Sequence, residues 1–218
     1  MDGVLADTEP IHIEAFRVML KEYNIVADED FLISFIGHSV ENNIDVINSR
    51  YFASQPLPMT ETARYRDDIY LKILQGSDLK PMPGIEDLLL FCASHGIKLA
   101  LASSSIREQI DVILSRLTSR SNDILSYENS FSVIVSGDIV AKKKPAKDIY
   151  QLALQKLNYA ADRCFAVEDS VAGIQSAQAA GLKCFVLKNE YTDDKDITFA
   201  DGRMDSIKEI VSALELMK

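Results

Sequence analysis

The sequence CFAVEDSVAGIQSAQAAGLKCFVLK (residues 164–188) contains two apolar segments on either side of a run of small residues. CFAVED and KCFVLK have the length and composition of buried β-strands, and SVAGIQSAQAAG between them is typical of a helix. Two strands that are joined by a helical crossover run parallel in a sheet. This segment therefore predicts a parallel α/β fold.

The same alternation of strands and helices extends from Lys80 to the C-terminus. Further strands are predicted at IKLALAS and FSVIVS, with helices at PGIEDLLLFCASHG, SIREQIDVILSRL, AKDIYQLALQKL and MDSIKEIVSALELM. Because the strands are continuously apolar, helices should cover both faces of the sheet. The predicted fold class is α/β, with a Rossmann-like parallel sheet. The polar segment at residues 118–129 is expected to form a surface insertion.

The first third of the chain has a different pattern of apolar residues, which is helical throughout from Glu9 to about Gln75. EPIHIEAFRVMLKEY, SVENNIDVINSRYF and TETARYRDDIYLKIL predict amphipathic helices that begin at a Ser or Thr cap, Thr8 for the first. FLISFIGHS predicts a short helix that ends in a turn at Gly37. We therefore expect an α/β core formed by residues 1–8 and 78–218, with a helical domain, residues 9–77, inserted into it.

The composition excludes several classes of protein. A net charge of -10 argues against nucleic-acid binding, which depends on Lys and Arg. No apolar run approaches the ~20 residues of a membrane span, and the N-terminus lacks a signal-peptide pattern. The three cysteines are widely separated and are predicted to be reduced thiols. These features predict a cytoplasmic protein, a monomer or weak dimer, without nucleic-acid or membrane partners.

Polar residues follow the predicted strands at the points where they end. Ser103 follows LALA, Lys144 comes shortly after FSVIVS, and Glu168 and Asp169 follow CFAV. Asp2 lies in the opening segment MDGVLADTEP. Since ligands of open parallel sheets bind beyond the carboxyl ends of the strands, these side chains are predicted to form one site.

The acidic pair and the serines each have both a chemical and a structural interpretation. Glu168 and Asp169, with a backbone carbonyl and waters, would suit Mg²⁺, but Asp169 or Ser170 could instead cap the following helix. Ser103 or Ser104 could bind a phosphate through a hydroxyl and a backbone N–H. Helix capping, for which Ser104 and Ser105 are equally suited, is the alternative there.

The lysines near position 144 and His12 also have both a chemical and a structural interpretation. Lys144 precedes Pro145, which favours an extended backbone, and its ammonium would be a suitable point charge for a phosphate. Lys142 and Lys143 are interpreted as a solvated basic run. His12 lies one turn after the start of the first helix, where a lone histidine is more often a packing or surface residue.

Four segments in order, MDGVLADTEP, LALASSS, KKPAKDIY and VEDSVAGI, resemble motifs of the haloacid dehalogenase superfamily, in particular its β-phosphoglucomutase-like phosphatase branch. The first and last segments are the most specific, and the resemblance covers nearly the whole chain. The helical block lies where this branch inserts its cap domain. The resemblance implies a Mg²⁺-dependent phosphatase of a small phosphorylated metabolite, such as a sugar phosphate, that reacts through an aspartyl-phosphate.

The resemblance also implies roles for individual residues. Asp2 matches the general acid/base. The metal-binding groups implied are the Asp2 backbone carbonyl, Glu168 and Asp169. The phosphate-binding residues implied are Ser103, Ser104 and Lys144.

The nucleophilic aspartate of this pattern would stand immediately before Met1. Asp2 cannot take that role, because the residue two positions further on is Val4, which cannot move a proton. We therefore expect the chain as given to lack the first central strand and the nucleophile. It should be inactive in turnover while keeping its Mg²⁺ and phosphate contacts. An assigned start downstream of the true one, or a truncated chain, is the favoured explanation, and a non-catalytic protein that binds sugar phosphate or Mg²⁺ is the alternative.

The segment SFIGHSVEN distinguishes a phosphatase from a phosphosugar mutase. In the resemblance, the mutase has basic residues around the cap glycine, whereas here Ile36 precedes Gly37 and Val40 stands where arginine is expected. A phosphatase is therefore preferred, and a β-phosphoglucomutase-type mutase is the alternative. A dehalogenase would leave the paired acids unexplained, because that chemistry needs no Mg²⁺. The candidate substrate contacts in the cap are His12, Gly37, His38, Ser39 and Glu41.

Overall fold

The structure is a computed structural model that describes residues 1–121, 125–188 and 197–216. The chain divides into two compact units. Unit 1 comprises Met1–Asp7 and Leu79–Lys218, and unit 2 comprises Thr8–Asp78. Each junction differs by one residue from the boundary expected from the sequence pattern.

Unit 2 is helical. Its helices are α1 (Glu9–Glu22), α2 (Glu29–Ile33), α3 (Val40–Tyr51) and α4 (Met59–Gly76). They share a core in which Phe16, Met19 and Leu20 of α1, Ile44 of α3 and Leu74 of α4 are at most 2% exposed. This burial follows the helical spacing of apolar residues in the sequence.

The starts of these helices differ in part from the predicted caps. Ser39 does cap α3, since its Oγ accepts a hydrogen bond from the Asn42 N–H at 3.1 Å. Thr8 precedes α1, but its side chain makes no capping bond, because its backbone (φ -103°, ψ -6°) is helical rather than extended. Thr60 lies inside α4, which begins one residue earlier than predicted. The predicted FLISFIGHS helix also begins earlier, at Glu29.

Unit 1 contains the parallel strands and the remaining helices. The strands are β1 (Ala100–Ala102), β2 (Val133–Val135), β3 (Phe165–Glu168), β4 (Lys183–Leu187) and β5 (Gly202–Met204). The helices are α5 (Ile85–Ser94), α6 (Arg107–Arg120), α7 (Asp148–Leu157), α8 (Val171–Ala179) and α9 (Ile207–Leu216). All strand pairs are parallel, which confirms the α/β class.

Two features of unit 1 differ from the expectation. Within the described residues the strands pair as two sheets, in the orders β1-β2 and β3-β4-β5, instead of one. Strand β5 was not predicted, because its three residues, Gly202, Arg203 and Met204, have no apolar pattern of their own and are ordered by pairing with β4.

The predicted insertion at residues 118–129 is only partly described, because residues 122–124 lie outside the described residues. The segment is not wholly a surface feature. Helix α6 continues to Arg120, and the Tyr127 side chain is fully buried. The Tyr127 N–H donates to Thr118 Oγ1 at 2.9 Å, which ties the end of the insertion back to α6.

A buried apolar cluster fixes the strand ends of unit 1. It includes Val135 of β2, Ile149 of α7, Ala166 of β3, Ile174 of α8 and Val186 of β4, each at most 6% exposed. Close packing of this kind leaves the strands little freedom to shift. The residues that follow β1 and β3 are therefore held in defined positions. Across the residues described, no helix combines the length and apolar character that crossing a membrane requires.

Candidate active site

Lys144 links the carboxyl ends of the two sheets of unit 1. Its Nζ donates to the carbonyl oxygen of Ala102, the last residue of β1, at 3.1 Å. It also donates to Oε1 of Glu168, the last residue of β3, at 2.5 Å. Both side chains are nearly buried, with 9% of Lys144 and 7% of Glu168 exposed. The structure thus brings a predicted phosphate-binding cation into contact with a predicted carboxylate.

The carboxylate of Glu168 is enclosed on both sides. Tyr150 of α7 donates its hydroxyl to the same Oε1 atom that accepts from Lys144. On the other side, a Cβ atom on Gly173 would lie 1.9 Å from Glu168 Oε2, so only glycine leaves room for the carboxylate there. Burial and the negative charge of Glu168 raise the pKa of Tyr150 well above its ordinary value. Tyr150 ends the KKPAKDIY segment, but no role was predicted for it, because in the sequence it occupies one more apolar position of an amphipathic helix.

Asp169 lies against the opening loop. A Cβ atom on Gly3 would be 2.0 Å from Asp169 Oδ2, and the Gly3 backbone has φ +65°, a conformation that favours glycine. Asp169 keeps part of its surface exposed. Desolvation by the surrounding protein, followed by the charges of Glu168 and Asp2, nevertheless raises its pKa to about 7. The N-terminal amino group and Lys144 partly offset this effect.

Asp2 is connected to the loop that follows β1. Its Oδ2 accepts a hydrogen bond from Ser105 Oγ at 3.1 Å. Ser103 is buried, and its Oγ accepts from the Ser105 N–H at 3.2 Å. Ser104 is exposed, and its carbonyl oxygen would be 2.1 Å from a Cβ atom on Gly137. Ser105 is therefore the serine that contacts the predicted acid/base, although the sequence analysis placed Ser103 and Ser104 in the site.

The capping alternatives are resolved by the helix starts. The N-cap of α6 is Ile106, and the Arg107 N–H donates to Asp138 Oδ1 at 3.1 Å, so neither Ser104 nor Ser105 caps this helix. At α8 the cap is Ser170, whose Oγ accepts from the Gly173 N–H at 3.2 Å. Asp169 is therefore not needed as a cap.

The donors around Asp169 fit a hard cation such as Mg²⁺. After desolvation and the charge of Glu168, the charge of Asp2 also contributes to raising the pKa of Asp169, and a cation beside Asp169 would offset this repulsion. Asp169 and the Asp2 carbonyl would hold the ion, whereas Glu168 Oε1 already has two protein donors. In the described ranges no three His, Cys, Asp or Glu side chains form a metal-binding group. The remaining ligands of Mg²⁺ would be water or substrate oxygens.

His12 belongs to unit 2, where it contacts a buried arginine that the sequence analysis missed. Its ring stacks on Tyr70 with the centroids 4.2 Å apart. Arg66 Nη2 lies 2.5 Å from His12 Nδ1, and since a guanidinium can only donate, this nitrogen is the acceptor. Arg66 is 1% exposed, and its Nε has no hydrogen-bond partner. Burial lowers the pKa of Arg66.

The other candidates of unit 2 lie around the start of α3. Gly37 has φ +77°. Ser39 is the N-cap, and Glu41 lies in the first turn of the helix. His38 is exposed and lines a pocket of about 370 Å³ within unit 2. The other lining residues of this pocket are Ser34, Phe35, Asn42, Asn43, Asp45 and Val46. This lining, all within the described part of the chain, includes no lysine or arginine.

Comparison with known proteins places this chain among hydrolases. Residues 1–187 match the haloacid dehalogenase-like hydrolase family. The phosphorylated carbohydrates phosphatase of Thermotoga maritima is 33% identical over 183 residues, which cover 84% of this chain and 80% of that protein.

Two solved structures have the same fold. The crystal structure of CbbY from Rhodobacter sphaeroides in complex with phosphate is 29% identical, with a TM-score of 0.80, and the match covers 96% of this chain and 93% of that one. A mutant of the same protein in complex with xylulose-(1,5)bisphosphate is 28% identical, with a TM-score of 0.79 and coverage of 94% and 91%. The family match extends over most of the chain. The chain therefore belongs to the haloacid dehalogenase-like hydrolase family.

Proposed function

We propose that this protein is a Mg²⁺-dependent phosphatase of a small phosphorylated metabolite, with a sugar phosphate as the most suitable substrate class. The observation that carries the proposal is the position of Lys144, whose ammonium lies at the carboxyl ends of β1 and β3 beside Glu168. The relatives support the substrate class, since one is named a phosphorylated carbohydrates phosphatase and another binds xylulose-(1,5)bisphosphate. Bound Mg²⁺ would neutralise part of the phosphate charge.

The residues of the chain divide the work of phosphoryl transfer. Lys144 and the loop at Ser103 and Ser104 hold the phosphate, and Asp2, oriented by the Ser105 hydroxyl, gives or takes the proton. By the resemblance, residues 9–77 would serve as the cap domain, and its substrate-selecting positions would be His12, Gly37, His38, Ser39 and Glu41. Among the residues that the structure describes, no lysine or arginine lines the pocket beside His38, which supports a phosphatase over a mutase that must hold a second phosphate. The free cysteines support a cytoplasmic location.

The experiment is a Mg²⁺-dependent hydrolysis screen against phosphorylated metabolites. In the family pattern the nucleophile stands one position ahead of Met1, so two proteins are compared. One is the chain as given, and the other carries an added apolar strand that ends in Asp. We expect the extended protein to hydrolyse sugar phosphates, and Lys144→Met to abolish this activity.

Binding of Mg²⁺ and of phosphate is measured by calorimetry for both proteins. Phosphate binding by both proteins, with no hydrolysis by either, would favour the non-catalytic binding protein. Neither binding nor hydrolysis by the extended protein would refute the proposed function.

A further inference from the structure

We propose that Tyr150 is a positioning residue, whose hydroxyl fixes the Glu168 carboxylate so that the Lys144 ammonium is held for a phosphate. The inference rests on the proposed function, because it concerns the same phosphate-binding lysine. Tyr150 is the last residue of the KKPAKDIY segment, and the resemblance implies no role for its hydroxyl. The assignment therefore comes from the contacts around Glu168.

Both oxygens of the Glu168 carboxylate are constrained by their neighbours. Its Oε1 accepts from both Tyr150 and Lys144, while its Oε2 lies against the space that a side chain on Gly173 would occupy. The carboxylate therefore cannot rotate without losing a donor or displacing the first turn of α8. Hydrogen bonds to a charged group are among the strongest in proteins. Tyr150 is thus able to lock the orientation of Glu168.

The Lys144 ammonium is oriented by two hydrogen-bond acceptors. Of the three N–H groups of its ammonium, one donates to Ala102 and one to Glu168. Two fixed acceptors determine the direction of the third N–H, which is the group available to a ligand. If Glu168 could swing freely, only the Ala102 carbonyl would constrain the ammonium, and its four-carbon chain would adopt several conformations.

The hydroxyl and the ring of Tyr150 contact different charged groups. Lys144 Nζ lies 5.3 Å from the centroid of the Tyr150 ring, so the ring itself also stabilises the ammonium. Tyr150→Phe keeps the ring and its packing in the core and removes only the hydrogen bond to Glu168. It is therefore the variant that tests the proposal.

Tyr127 provides a matched control. It is also buried, and its hydroxyl also donates to a glutamate, Glu86, at 3.3 Å. Tyr127 is not among the residues assigned to the site. Tyr127→Phe therefore shows the loss of stability that follows from removing a buried tyrosine hydroxyl, while the contacts of Glu168 and Lys144 remain unchanged.

The first measurement is the affinity for inorganic phosphate, titrated calorimetrically into wild type and both variants in the presence of Mg²⁺. We expect Tyr150→Phe to weaken phosphate binding by about tenfold or more, the size of effect that loss of a hydrogen bond to a charged group produces. Tyr127→Phe should bind as wild type does. Equal affinity in Tyr150→Phe and wild type would overturn the proposal, and so would an equal loss in both variants.

The second measurement uses no ligand and separates this inference from the proposed function. In ¹⁵N NMR spectra of lysine side chains, a fixed and hydrogen-bonded Lys144 ammonium should give a slowly exchanging signal, identified by its absence in Lys144→Met. We expect the signal in wild type and Tyr127→Phe and its loss in Tyr150→Phe. Its absence from wild type, or its persistence in Tyr150→Phe, would overturn the inference even if phosphate binds. If wild type binds no phosphate but the signal behaves as expected, the proposed function fails and the positioning of Lys144 by Tyr150 stands.

Discussion

The backbone of Gly3 lies directly against the carboxylate of Asp169, since a Cβ atom on residue 3 would be 2.0 Å from Asp169 Oδ2. Gly3→Ala should therefore displace Asp169 and also strain the backbone, because residue 3 has φ +65°. The strain alone is worth about 1–2 kcal/mol of unfolding free energy. We expect a lower melting temperature together with weaker Mg²⁺ binding, measured by thermal denaturation and calorimetry.

The matched control for Gly3→Ala is Gly76→Ala. Gly76 is the last residue of α4, and apart from its chain neighbours and its own helix backbone no described atom lies within 4 Å of where its Cβ would be. Alanine is the better helix former by about 1 kcal/mol. This variant should melt at the wild-type temperature or above it and bind Mg²⁺ normally. Unchanged melting and Mg²⁺ affinity in Gly3→Ala would show that the contact with Asp169 is unimportant.

The raised pKa of Asp169 predicts a pH dependence of stability in the metal-free protein. Burial and neighbouring charges raise this pKa from 3.8 to about 7. The folded state therefore holds the proton more tightly than the unfolded chain. The contribution of Asp169 to stability is full below about pH 4 and is lost as the pH rises to about 7.

Asp169→Asn removes this titration. As the pH rises from about 4 to about 7, the unfolding free energy of the variant should increase relative to that of wild type, by up to about 1.4 kcal/mol per pH unit. Urea denaturation in the presence of a chelator measures it. For Asp138→Asn the unfolding free energy should instead decrease relative to wild type as the pH rises. The pKa of Asp138 is lowered in the folded protein, mainly by a hydrogen bond from Ser136. A difference that does not vary with pH for Asp169→Asn would contradict the prediction.

Arg66→Met should leave unit 2 at least as stable as it is in wild type. Arg66 is buried, its Nε lacks a hydrogen-bond partner, and burial lowers its pKa, so the charged side chain carries a desolvation cost. Replacing a buried ion pair by apolar side chains is often neutral or stabilising by about 1–4 kcal/mol, and Asp67, the charged partner of Arg66, is 28% exposed and would stay hydrated without it. Chemical denaturation of wild type and variant measures the change. A loss of several kcal/mol would mean that the bonds from Arg66 to His12 and Asp67 outweigh that cost.

The three thiols should differ in their rates of alkylation. Cys92 and Cys184 are buried, and burial raises the pKa of both, that of Cys184 to about 12. Cys164 is half-buried, and burial raises its pKa as well. Iodoacetamide at neutral pH should therefore label Cys164 slowly and the other two only after denaturation, as measured by mass spectrometry. Rapid labelling of Cys184 in the native protein would contradict this burial.

The sequence by itself was sufficient to predict the α/β class, the helical segment between the two parts of the core, and the order of the motifs. These features depend on local patterns, namely apolar runs, helical periodicity and short motifs at strand ends. It also predicted that Lys144 and Glu168 lie close together, because both come after strands of one predicted parallel sheet, and the structure brings their side chains into contact. β5 was not predictable, since its residues become a strand only through the edge that β4 offers.

The tertiary structure alone decided which side chains meet. Tyr150 and Glu168 are 18 residues apart and Ser105 and Asp2 are 103 apart, so their contacts depend on how the elements pack and on no local pattern. The same holds for the buried pair of Arg66 and His12, separated by 54 residues. A sequence shows which residues are able to carry charge or donate hydrogen bonds. The partner of each is determined by the packing that removes water from around it, because only in that low-dielectric setting does the choice of partner carry a large free energy.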